Sequence, residues 1–129
     1  MARPRSNHPT DGEMIILQSL WEHGPSTVRQ IHERLIADRT IGYTTVLKTL
    51  QIMTEKGLVL RKESGRSHVY RAAKDESLTQ RKLLRSLIER VFGGSTRQLI
   101  LHALSAKKST PEELKEIRRL IEETEEREK

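Results

Sequence analysis

The sequence predicts a mainly α fold with one small β-hairpin, and three observations predict it. From Thr10 to Gly57, three segments of helical length carry apolar residues at steps of three and four, with capping residues and glycines at their ends. The period then changes, and two strand-like runs, residues 58–62 and 68–71, flank a loop containing Gly65. Beyond Lys74-Asp75 the spacing is helical again. Helix, helix, helix, hairpin is the order of a winged helix-turn-helix domain, assigned to residues 10–75. Residues 1–9 read as a flexible basic arm, and 76–129 as a C-terminal helical dimerisation domain.

The first helix opens on Thr10-Asp11-Gly12-Glu13, a capping box in which Thr10 and Glu13 satisfy free backbone N–H groups. Met14, Leu17, Leu20 and Trp21 follow at helical spacing, Trp21 reading as core, and Gly24-Pro25 ends the helix. Ser26 caps a second helix with Val28, Ile31, Leu35 and Ile36 on one side. A break follows at residues 38–42, where Ile41 adds one short strand. Thr44 or Thr45 opens a third helix with apolar positions Val46, Leu50 and Met53, ending at Gly57. The two strands join through Glu63-Ser64-Gly65-Arg66, where Gly65 supplies the positive φ of such a loop.

In the C-terminal part, Leu84, Leu87, Ile88 and Val91 form a stripe that Gly93-Gly94 stops. Ser95 caps a short helix bearing Leu99, Leu101, Ala103 and Leu104. Thr110-Pro111-Glu112-Glu113 is a second capping box, and Leu114, Ile117, Leu120 and Ile121 share one face beyond it. Short amphipathic helices with few large side chains make little core alone. Two placements are open for these stripes: against the winged domain in a monomer, or against a twin subunit, the simpler surface.

Composition narrows the function classes. With 34% hydrophobic and 33% charged residues the core is modest, which favours added burial in an oligomer. A net charge of +6 suits an anionic partner, nucleic acid or membrane surface. No apolar run approaches the roughly 20 residues of a spanning helix, so membrane insertion is not expected. The N-terminus lacks the apolar segment of a secretory signal, and a cytoplasmic location is expected. Zero cysteines exclude disulfides, thiolate metal sites and thiol catalysis. The five histidines show no metal-ligand spacing, and no nucleophile or phosphate-loop motif occurs, so neither enzyme activity nor a cofactor is expected.

If Val46, Leu50 and Met53 face the core, Thr45, Lys48 and Gln51 lie on the opposite side. Threonine suits a thymine methyl or a phosphate, lysine a guanine or a phosphate, and glutamine an adenine. Arg61, Lys62 and Arg66 sit on or beside the hairpin, and Arg3 and Arg5 in the arm. Each group alone has an ordinary reading as solvated surface. A helix-turn-helix, a cationic wing and a basic chain together point to double-stranded DNA.

Tyr43-Thr44-Thr45-Val46-Leu47-Lys48-Thr49-Leu50, followed by Glu55-Lys56-Gly57-Leu58-Val59, resembles the penicillinase-repressor family, the BlaI/MecI/CopY group. Leu20-Trp21, Val28-Arg29-Gln30-Ile31, Gly65-Arg66 with Tyr70, and Glu112-Glu113-Leu114 with Leu120-Ile121 fit it too. The resemblance implies a homodimer on an inverted-repeat operator, repressing resistance genes of the β-lactamase type, with Tyr43 and Thr44 joining the DNA-binding set. It also implies a partner, a membrane sensor metalloprotease, whose cleavage region maps to His102 and Ala103. Relatives cleaved this way have Asn-Phe there. Ile52 stands where many relatives have arginine, and Leu47 is apolar beside the reading face. The cysteine metal site of the copper-responsive branch is absent. The rival reading from another class is a protein-interaction module whose basic charge gives only non-specific DNA affinity.

Overall fold

In the computed structural model, residues 8–37 and 40–129 are described, and they form six helices and one three-stranded antiparallel sheet. Arg3 and Arg5 lie outside the described residues. The chain divides into two compact units, one running to Leu83 and one from Leu84 to Lys129.

The first unit contains α1 (Asp11–His23), β1 (Ser26–Thr27), α2 (Val28–Ile36), α3 (Tyr43–Glu55), β2 (Val59–Ser64) and β3 (Ser67–Ala72). The capping box of α1 forms as the sequence predicts: Glu13 N donates to Thr10 Oγ1 (3.2 Å) and Thr10 N to Glu13 Oε1 (2.8 Å). The second helix starts one residue later than expected. Thr27, not Ser26, caps α2, accepting from Gln30 N (3.2 Å) while Gln30 Oε1 accepts from Thr27 N (2.9 Å). Ser26 is engaged elsewhere. Its hydroxyl donates to the Gly24 carbonyl (2.8 Å) and accepts from Arg34 Nη1 (2.9 Å), which also donates to Ser19 Oγ (3.2 Å). Ser26 and Thr27 are extended and pair with Tyr70 and Val69, giving the strand order β1-β3-β2. The extra strand is thus at 26–27 and not at Ile41, whose carbonyl accepts from His32 Nε2 (2.9 Å).

The hairpin is tighter than the sequence suggests. Pairing runs from Val59↔Ala72 to Ser64↔Ser67, leaving Gly65 and Arg66 as a two-residue turn. Gly65 has φ +64°, the left-handed conformation that short hairpin turns require. The core gathers Ile16, Leu17 and Leu20 of α1, Val28, Ile31 and Leu35 of α2, Val46, Leu50 and Met53 of α3, with Val59 and Tyr70 from the sheet. Ile36 is exposed, contrary to its expected place in the α2 stripe. It lies about 100° round the helix from Leu35, beyond the edge of the buried arc.

One ion pair is enclosed in this unit. Lys56 Nζ, just past α3, lies 2.6 Å from Glu13 Oε1 in the first turn of α1, and their side chains are 7% and 4% exposed. The Lys56 ammonium also donates to the His8 carbonyl (2.9 Å). Burial pushes the Glu13 carboxyl up, but the Lys56 hydrogen bond, the Thr10 N–H and the Lys56 charge together hold it below its ordinary value.

A helix, α4 (Glu76–Phe92), begins in the first unit and runs into the second, which adds α5 (Thr96–Ala106) and α6 (Pro111–Arg127). Asp75, Ser95 and Thr110 cap these helices, accepting from Leu78 N, Gln98 N and Glu113 N. Thr110 makes only half of the expected box, since no bond from Glu113 back to the Thr110 N–H forms among the described residues. No residue of α4, α5 or α6 is buried in the single chain.

Glu13→Gln removes one charge of an enclosed pair and should cost about 3 kcal/mol at neutral pH. A carboxyl with a lowered pKa stabilises the fold above its ordinary value of 4.5 and loses that contribution as pH falls through the folded value. The gap in urea midpoint between wild type and Glu13→Gln should therefore narrow below about pH 4.5. A gap constant down to the acid limit would refute this role for the pair.

Candidate nucleic-acid interface

The chain enters α3 through Gly42, which gives this helix no side-chain cap. The first N–H groups of α3 thus carry no hydroxyl or carboxylate acceptor, unlike those of α1, α2, α5 and α6. The helix starts at Tyr43, one residue before the earlier of the two predicted starts. Tyr43 is 49% exposed, and its ring meets His32 edge-on, with centroids 5.9 Å apart. That contact and the His32–Ile41 bond hold the entry to α3 against α2.

Val46, Leu50 and Met53 are wholly buried, so the roll of α3 is fixed. At about 100° per residue, Lys48 then lies opposite the buried stripe, with Thr44 one turn before it. Thr45 and Ile52 flank it on one side and Gln51 on the other, and all five are exposed. Glu55 shares this face and adds a negative charge at its C-terminal end. Leu47 is half-buried beside it, packed against the core.

The hairpin presents its cations on two faces. Arg61 lies across from Tyr70, Lys62 across from Val69, and Leu60 across from Arg71. Because side chains alternate along a strand, Arg61 projects from the face of Tyr70, whereas Lys62 and Arg71 share the other. Arg66 sits at the tip, in the turn. Arg71 is missing from the sequence-derived set, since only the register places it beside Lys62. Lys48, Arg61, Lys62, Arg66 and Arg71 are exposed and form no ion pair among the described residues.

In the second unit, the expected dimerisation residues divide by exposure. Leu84, Val91, Leu101, Leu104, Leu114, Leu120 and Ile121 are exposed, and Leu87, Ile88, Leu99 and Ile117 are half-buried. Ile100 is exposed as well, and the sequence reading passed over it. His102 stacks obliquely on Phe92 at 5.7 Å, and with Ala103 it lies in the middle of α5. Among the described residues no three histidine or carboxylate side chains gather where they could share a metal ion.

A family model described as "Penicillinase repressor" matches residues 9–123. The chain is 44% identical over 61 residues to "Transcriptional regulator BlaI" of Mycobacterium tuberculosis, covering 46% of this chain and 44% of that protein. The match therefore spans less than half of that relative's length. Similarity to "Penicillinase repressor" of Bacillus licheniformis is 24% over 120 residues, covering 93% of this chain and 94% of that one. Among solved structures, an ArsR-like transcriptional regulator from Rhodococcus sp. RHA1 aligns with a TM-score of 0.42 and 22% identity, over 78% of this chain and 86% of its own.

Two substitutions separate base reading from backbone contact. Lys48→Ala should cost about 1–3 kcal/mol on a preferred duplex and less on a random one. Arg66→Ala should weaken both duplexes alike and lower the salt slope by about 1. Fluorescence anisotropy over a salt series measures both. Unchanged affinity and slope for Lys48→Ala would show that α3 presents another face.

Proposed function

The chain belongs to the penicillinase repressor family, and on that premise we propose that it is a homodimeric transcriptional repressor that grips an inverted-repeat operator. It is a DNA-binding regulator and not an enzyme, as its family is. The observation that carries the finer reading is the exposed face of α3: Lys48, without an ion pair among the described residues, lies opposite a wholly buried stripe, with Thr44, Thr45 and Gln51 around it. A polar face held at a fixed roll is what a recognition helix needs in the major groove. The hairpin cations and the uncapped start of α3 supply phosphate contacts. Arg3 and Arg5 of the arm are assigned to the same DNA.

Pairing of two copies is assigned to the second unit. Its helices fully bury no residue by themselves, yet expose apolar side chains such as Val91 (60%) and Leu120 (56%). Two-fold pairing removes such faces from water and favours two half-sites related by the same symmetry. Genes of the penicillinase type are the regulated targets in this reading, supported by the full-length similarity to the Bacillus licheniformis repressor. Cleavage by a sensor metalloprotease at His102-Ala103 would demand local unwinding of α5, because helical backbone must open before a protease can take it. No helix among the described residues is long and apolar enough to cross a membrane.

Selection of bound duplexes from a random pool should recover an inverted repeat with half-site centres about 10 bp apart, or a multiple of that. Introducing Leu120→Glu with Ile121→Glu should shift the protein to monomer in sedimentation velocity and abolish the preference for paired half-sites. Recovery of no motif, with binding lost as salt rises, would overturn the operator reading and favour an interaction module. Ile52, 38% exposed on the same face, is suited to a thymine methyl. Replacing one operator thymine by uracil should weaken wild type, but leave Ile52→Ala unaffected; equal losses in both would remove Ile52 from the reading face.

A further inference from the structure

A cavity of about 120 Å³ opens in the first unit, at the C-terminal end of α3 and away from the face carrying Lys48. Leu17 of α1, Leu58 after α3, and Leu78 and Leu83 of α4 supply its apolar lining with Pro9, and His8 lies beside them. Three lysines, Lys56, Lys74 and Lys82, are among its lining residues. Lys56 is neutralised by Glu13 at 2.6 Å. Lys74 and Lys82 make no ion pair among the described residues, so two positive charges remain uncompensated. Thr79 is a further polar residue of the lining.

Hydrocarbon walls with an uncompensated cationic border select a ligand class. An inorganic anion would lose hydration against the leucines and gain nothing from them. A neutral apolar molecule would fill the walls but leave the charges unanswered. A small organic carboxylate with an apolar body satisfies both parts. The cavity is small beside drug-sized sites of roughly 300–1,000 Å³, which limits the ligand to a single ring or a short chain.

The position of the cavity gives such a ligand a consequence. Gly57 and Leu58 line it and terminate α3: Gly57 N donates to the Thr54 carbonyl (3.1 Å) and Leu58 N to that of Met53 (2.9 Å). The Leu58 carbonyl in turn accepts from Ala73 N (3.0 Å), next to Lys74, whose own carbonyl accepts from Trp21 Nε1 (3.0 Å). A molecule in the cavity therefore touches the joint between α3 and the hairpin and the joint between the hairpin and α4. We propose that this cavity is an effector site for a small organic carboxylate with an apolar body, and that its occupancy changes the DNA affinity of α3. The second part rests on the operator reading above. Reciprocity then requires DNA to change carboxylate affinity by the same factor.

The test uses the full chain with three probes: benzoate, its neutral counterpart benzamide, and acetate, which lacks the apolar body. Calorimetry without DNA should show saturable benzoate binding, about tenfold tighter than either of the others. Lys74→Gln with Lys82→Gln should weaken benzoate about tenfold, both residues being exposed and free to change without loss of fold. Leu78→Trp, from a position 43% exposed, should fill the cavity and abolish binding while the circular dichroism spectrum and Tm are kept. Saturating benzoate should then alter affinity for a selected duplex about fivefold or more. Absence of saturable binding, equal binding of benzamide, an unaffected lysine variant, or bound benzoate with unchanged duplex affinity would each overturn the proposal. Failure of the operator reading shows separately, as absence of any preferred duplex before benzoate is added.

Discussion

The roll of one helix about its own axis governs this molecule. Val46, Leu50 and Met53 are wholly enclosed, and each fully buried side chain of this kind is worth about 1.5–3 kcal/mol over its exposed state. Rotating α3 by even a quarter turn would bring them toward water and carry Lys48 toward the core. The apolar stripe and the polar face are therefore one constraint seen from two sides. The Glu13–Lys56 pair complements it by fixing the far end of α3 to the start of α1 through two enclosed, opposite charges. At the near end the Tyr43–His32 contact does the same with less burial. The helix is held along its length and at both ends, while Thr44, Thr45, Lys48 and Gln51 stay exposed on its outward face.

The small core explains why polar groups take part in holding the unit together. Arg34 reaches across to Ser19 and Ser26, joining α1, β1 and α2 through hydroxyls that lie almost out of solvent. These groups are satisfied mutually, which avoids the cost of burying them unpaired. The second unit solves the same shortage differently. With no residue buried in any of its helices, it has capped ends and exposed apolar stripes, and its stability is tied to whatever covers those stripes.

Much of this was legible in the sequence where the signal is local. The Thr10–Glu13 box, the α3 stripe and the hairpin each show themselves within a dozen residues. What escaped depends on partners distant in sequence. A two-residue strand has no period to detect, and Ser26 and Thr27 are equally good caps until Arg34 claims the first hydroxyl. Glu13 and Lys56 stand 43 residues apart, so nothing local announces their pairing. Arg61 and Lys62 look like one cationic patch in the sequence, yet the pleat sends them to opposite faces. Arg71 becomes a neighbour of Lys62 only through the register.

The position of β2 at the edge of the sheet has one more consequence. Its outer side offers unpaired backbone groups over Val59–Ser64, a template on which a strand of another chain can add. Arg61, Lys62 and Glu63 stand consecutively on that edge, and an incoming strand would have to desolvate them. The charges that crowd this edge thus keep it from growing into a β-aggregate. A variant that trims Arg61 and Lys62 to weaken the DNA contact proposed for them therefore also strips the edge of its protection.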